Sequence, residues 1–159
     1  NFPYVDGNDY ARYFYIDSRE AWSEMFRNPP RNTASIIEPG APHPTVGEVI
    51  LPPTKEKILA ENCLGELGLR LWLEPYLGNE TASKLAGMWK TDRYRITEQE
   101  QNVSLTWQIE MTDEAAAKNL VREVTFAMMD HLKEIQPTRQ IEISAQGSSF
   151  ILNNLPKNK

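Results

Sequence analysis

Val103-Ser104-Leu105-Thr106-Trp107-Gln108-Ile109-Glu110-Met111 alternates apolar and polar side chains, and Thr112-Asp113-Glu114 follows at once. Period-2 alternation is the mark of a strand with one buried and one wet face. Beyond Asp113 the period becomes helical, through Ala115, Leu120, Val124, Met128 and Leu132. A half-buried strand running into an amphipathic helix implies a sheet covered by that helix. The fold class is therefore α+β.

The pattern extends in both directions. Upstream, residues 92–98 place Tyr94 and Ile96 on one face, and residues 99–102 form a turn into the quoted strand. Downstream, Pro137 closes the helix of residues 113–134. Residues 139–145 and 149–153 then read as a second hairpin around Gln146-Gly147-Ser148. The order β-β-α-β-β predicts an antiparallel four-stranded sheet with helices on one face and Trp107 buried between them.

Residues 61–77 form a strong helical pattern, with Gly78 as its C-terminal cap. Leu64, Leu67, Leu71 and Trp72 are expected toward the core, with Glu66, Arg70 and Glu74 at i,i+4 spacing on the wet face. Asn79 caps a shorter helix to about residue 88. Residues 8–27 read as two helical pieces, with Asp17 or Ser18 capping the second and Asn28-Pro29-Pro30 stopping it.

Between residues 28 and 57 lie Pro29, Pro30, Pro39, Pro42, Pro44, Pro52 and Pro53. A helical turn at 33–37 and a brief strand at 48–51 fit there, and Ile36, Ile37, Val46, Val49, Ile50 and Leu51 favour a segment wrapped over the domain. The resulting division is a helical and Pro-rich region at 1–60, an α+β domain at 61–155 and a frayed tail at 156–159.

Of the 159 residues, 17 are Lys or Arg and 22 are Asp or Glu, a net charge of -5. That balance speaks against a duplex nucleic-acid partner, which needs a basic face. No apolar run reaches the roughly 20 residues that span a bilayer, so no transmembrane segment is expected. The chain opens at Asn1 without Met and shows no signal peptide, which reads as a processed or truncated piece.

Cys63 is the single cysteine, expected as a buried thiol at the start of a helix, with no internal disulfide. His43 lies in Pro42-His43-Pro44 near Glu38, and His131 lies late in a helix as a surface or capping residue. No His-Glu-x-x-His, no Gly-x-Ser-x-Gly and no Gly-rich loop after a strand occurs, so no catalytic set, metal site or cofactor is expected. Gly65-x-x-Gly68 is a packing feature inside a helix, and Ser148-Ser149 belongs to a hairpin turn.

The dense polar and aromatic cluster is Trp89, Asp92, Arg93, Tyr94 and Arg95. It anchors the sheet end in one reading. In the other it lines a ligand or peptide pocket, because aromatics beside arginine make good recognition anchors. Tyr10, Tyr13, Phe14 and Tyr15 read as the contact face of the first helix. Asn79-Glu80-Thr81 and Asn102-Val103-Ser104 match glycosylation acceptors, which matter only in a eukaryotic secretory protein.

Three ordered segments carry a family resemblance. The first is Phe2-Pro3-Tyr4 with Gly7, then Trp22, then Pro29-Pro30-x-x-Thr33-x-x-Ile36-Ile37-x-Pro39. The second is Leu64-Gly65-Glu66-Leu67-Gly68-Leu69-Arg70, closing at Tyr76-Leu77. The third is Ala86-Gly87-x-Trp89-x-x-Asp92-Arg93-Tyr94, followed by the Leu105 to Trp107 strand and an Ala-rich helix. Together they resemble the C-terminal portion of a family of uncharacterised bacterial exported proteins. Those proteins carry an upstream metallopeptidase-like region with a His-Glu-x-x-His motif. Where the family has His before the first segment's final Pro, this chain has Glu38, and Met88 replaces the Gly before the third segment's Trp.

The resemblance implies an extracytoplasmic or lipoprotein parent, with this chain as a non-catalytic accessory or binding module and an upstream domain as its partner. It carries no zinc ligand into this chain. One alternative is an enzyme fragment in which Glu38, His43 or Glu66 contributes to a cleft shared with an N-terminal part. Another is a structural or oligomerising unit.

Overall fold

A computed structural model of the chain describes residues 4–41 and 48–157. Two compact units are present, Asn1–Thr45 and Val46–Lys159.

The first unit holds α1 (Asp6–Asp17), α2 (Arg19–Arg27) and α3 (Ala34–Ile37). Ser18 separates α1 from α2, because its extended backbone frees the side chain to accept from Ala21 N at 3.0 Å. Tyr10 and Tyr13 meet Phe14 edge-on, and Trp22 meets Tyr15 and Phe26 in the same way. Ala34 is the only buried residue among the described residues of this unit.

The second unit is α+β. Its elements are β1 (Lys57–Asn62), α4 (Gly65–Ala86), β2 (Trp89–Gln99), β3 (Asn102–Met111), α5 (Glu114–Ile135), β4 (Arg139–Gln146) and β5 (Ser149–Pro156). All pairings are antiparallel, in the order β1-β2-β3-β5-β4. The sheet thus has five strands rather than the expected four. β1 escaped the pattern because Lys57-Ile58-Leu59-Ala60-Glu61-Asn62 does not alternate, and a register shift between Ile58 and Ala60 breaks its period further.

β1 also corrects the helix start. Glu61 and Asn62 are strand residues, and α4 begins at Gly65. The strand crosses residue 60, so the segment before residue 61 contributes to the sheet. Cys63, in the link between them, is exposed rather than buried.

α4 is two helical pieces joined at Gly78, whose φ of 74° and ψ of 161° leave the helical region. That positive φ suits a residue without Cβ, as expected of a cap. The buried side chains of the first piece are Leu69 and Leu73, each 0% exposed, whereas Leu64 and Leu71 stand 45% and 57% exposed. Trp72 packs against the core from its edge. The expected face was therefore rotated, because helical spacing alone allows either stripe in a leucine-rich run.

One core cluster joins both helices to the sheet. Leu69, Leu73 and Leu85 come from α4, and Leu120, Val124 and Met128 from α5. Trp107, Ile109, Met111, Phe150 and Leu152 come from β3 and β5. Trp107 is 4% exposed, and Trp72 meets it edge-on at 5.2 Å between ring centroids. Asp113 caps α5 by accepting from Ala116 N at 2.8 Å.

Two tight turns set the register of the hairpins. Glu100 and Gln101 link β2 to β3 with φ of 50° and 65°. Gly147, with φ of 57°, opens the turn from β4 to β5. The expected strand at 48–51 has no ladder; the segment is an irregular extended strap with Val49 and Leu51 buried and Ile50 outward. Pro156 and Lys157, expected in a frayed tail, are instead held: Pro156 ends β5 and Lys157 N donates to Thr138 O at 3.0 Å.

Candidate functional site

Strand alternation divides the residues from Trp89 to Arg95 between two faces of the sheet. Asp92 pairs with Ile109 and Tyr94 with Trp107, so both point to the helices. Arg93 pairs with Gln108 and Arg95 with Thr106, so both point to the opposite face.

On the helix side, Asp92 is 3% exposed and accepts four hydrogen bonds. Its Oδ1 receives Gly65 N at 2.9 Å and Trp89 Nε1 at 3.1 Å. Its Oδ2 receives Leu64 N at 2.8 Å and Trp107 Nε1 at 2.8 Å. A carboxylate offers about four lone-pair positions, and all four are used here. The side chain ties the start of α4 to two indoles of the sheet. Gly65 reaches it with φ of 74°, a backbone state that a Cβ disfavours. Tyr94 packs against the core beside Trp107.

On the other face an ion-pair chain crosses the sheet edge. Glu61 receives Arg93 Nε at 2.9 Å and Arg95 Nε at 2.5 Å. Arg93 Nη1 also reaches Glu48 at 2.5 Å, and Arg95 Nη1 donates to the Pro52 carbonyl at 2.5 Å. The strap is thereby fastened to β1 and β2. Hydrogen bonds from Arg95 and then Arg93 hold the Glu61 carboxyl below the usual carboxylate range. The same bond to Glu61 raises Arg93 above the ordinary guanidinium value.

Between the strap and the sheet lies a groove of ≈ 350 Å³. Leu51, Pro52 and Pro53 form its wall. Thr97, Thr106, Gln108, Ile151 and Asn153 form its floor, with Arg95 at the side. A shallower hollow of ≈ 640 Å³ borders the turn from β2 to β3 and shares Glu56, Ser104 and Leu155 with the groove. The same open face carries Glu110, which receives Ser149 Oγ, Gln108 Nε2 at 3.0 Å and Ser148 Oγ at 3.1 Å. Burial pushes the Glu110 carboxyl up, but those bonds and the charge of Lys90 outweigh it and hold it below its ordinary value.

The remaining sequence candidates are distributed over both units. Glu38 follows α3 in the first unit, and Glu66 is buried at the start of α4 in the second. His43 lies outside the described residues. His131 is exposed, with its ring 5.5 Å from that of Tyr76. Among the described residues, no group of three or more His, Cys, Asp or Glu is placed to hold a metal ion. No described helix is long and apolar enough to cross a membrane.

The groove's floor was partly visible in the sequence. Thr106 and Gln108 are the polar positions between Leu105, Trp107 and Ile109, so their shared face follows from alternation. The contributions of Glu61, Thr97, Ile151 and Asn153 depend on strand order and register, for which no local signal exists. No family model, no curated protein and no solved structure matches the chain.

Proposed function

We propose that residues 46–159 act as a non-catalytic binding module of a larger exported bacterial protein, and that the ligand enters the groove on the sheet face opposite α4 and α5. The observation that carries this reading is the groove's construction. A tethered strap supplies one wall and a rigid sheet supplies the floor. Concave sites that combine apolar wall and a few fixed polar groups are where small ligands bind. Arg93 and Arg95, from the expected ligand-binding set, fasten the strap at the groove's edge. Asp92, Trp89 and Tyr94 support the fold beneath it. The link to a larger exported parent rests on the three ordered segments of sequence resemblance.

A fragment screen followed by amide NMR tests the site. Hits are expected to shift Thr97, Thr106, Gln108 and Asn153 together. A screen whose hits all cluster elsewhere, or that yields none, removes the reading. Reading the gene upstream of the Asn1 codon tests the parent: an export signal and a His-Glu-x-x-His helix are expected, and a cytosolic frame without either refutes that part.

A further inference from the structure

The groove's chemistry narrows its ligand. Charge is internally balanced beside it: Arg93 and Arg95 face Glu48 and Glu61, and each guanidinium is bonded to Glu61. A ligand carrying a phosphate or carboxylate would have to compete with those pairs. Desolvating a charge without a partner is costly, and the Glu56 carboxylate also lines the groove, so the groove disfavours an acidic occupant. Its polar floor is made of hydroxyls and amides, groups that both donate and accept. Among the described residues no aromatic ring lines it, so a sugar face finds no stacking platform there.

Spacing supplies the second argument. Thr106 pairs directly with Asn153, which makes Gln108 and Asn153 diagonal neighbours on one face. Diagonal neighbours across antiparallel strands lie roughly 7–8 Å apart. An extended peptide repeats every two residues at about 6.8 Å, by the strand rise of ~3.4 Å per residue. Gln108, whose Nε2 already donates to Glu110 and Ser149, offers its Oε1 at that interval from the Asn153 amide, which matches successive main-chain groups pointing the same way. Ile151 pairs directly with Gln108 and lies two residues from Asn153 on the same face, and it lines the groove with Leu51 and the prolines, so alternate side chains of the peptide meet apolar surface.

We propose that the groove binds a short peptide free of acidic groups in extended conformation, its main chain read by Asn153, Gln108 and Thr106, and its small apolar side chains held between Ile151 and the strap. This inference rests on the binding reading above and specifies its ligand.

The test titrates the isotope-labelled full chain with acetyl-Ala-Val-Ala-Val-Ala-amide and, separately, with the neutral oligosaccharide chitotetraose. The peptide is expected to shift the amides of Thr106, Gln108, Ile151 and Asn153. Asn153→Ala and, independently, Thr106→Val are each expected to weaken it about tenfold, the loss of one to two hydrogen bonds. Unchanged amide spectra away from the groove certify that each variant is folded. If the oligosaccharide shifts the groove and the peptide does not, the peptide assignment falls while the binding reading stands. If the peptide binds equally well to both variants, the proposed main-chain contacts fall. If neither probe nor any fragment moves these amides, both readings fall together.

Discussion

Asp92 shows how one residue can look functional in sequence and act as a structural tie. It sits among Trp, Arg and Tyr, the company of a recognition site, yet alternation turns it inward. There it satisfies two indoles and two backbone N–H groups. Asp92→Ala leaves those donors buried without a partner, and the expected cost is about 3–5 kcal/mol, as for other broken buried charge networks. Urea unfolding followed by tryptophan fluorescence measures it directly. Glu61 and Glu110 make a second prediction at this scale. Both have depressed folded-state values. A depressed carboxylate stabilises fully above its unfolded value, near ~4.3 for Glu, and loses that contribution as pH falls through the folded value. The urea midpoint is therefore expected to drop on acidification below about pH 5, and Glu110→Gln is expected to flatten part of that slope. A slope identical in the variant removes Glu110 from the account.

Elements with a local signal were legible, and those held only by neighbours were not. Ser18, Asp113 and Gly78 each act through chemistry contained within a few residues: a side-chain cap, a second cap and a positive φ. Gly78→Ala forces a Cβ into that conformation, although no atom lies within 4 Å of where it would stand. The expected loss is about 1 kcal/mol from backbone strain alone, read as a lowered melting temperature. β1 lies at the other extreme, because its strand state is imposed by pairing with β2 and by Glu61 between two arginines. The strap depends on similar ties. In a double-mutant cycle, Arg93→Ala with Glu48→Ala is expected to give a coupling of only about 0.2–1 kcal/mol, since Glu48 is 72% exposed at its side chain. A larger coupling would show a strap held more by that pair than by the burial of Val49 and Leu51.

At the scale of the molecule, every member of the core cluster lies between Leu69 and Leu152. The chain from residue 46 onward is therefore expected to fold without the first unit, with a cooperative urea transition and the same amide shifts in its sheet. A molten or aggregated truncation would contradict that independence. The amino-acid sequence by itself determined the α+β class, the hairpin from β2 to β3, a start for α2 at Asp17 or Ser18, and the break at Gly78. Each of these follows from periodicity or from bonds that a residue makes within its own turn. Tertiary structure alone decided the fifth strand, the rotation of α4, the exposure of Cys63, and the groove beneath the strap. Those features arise where residues far apart in the chain exchange hydrogen bonds, charge and apolar surface, and no local period encodes which distant partner will be met.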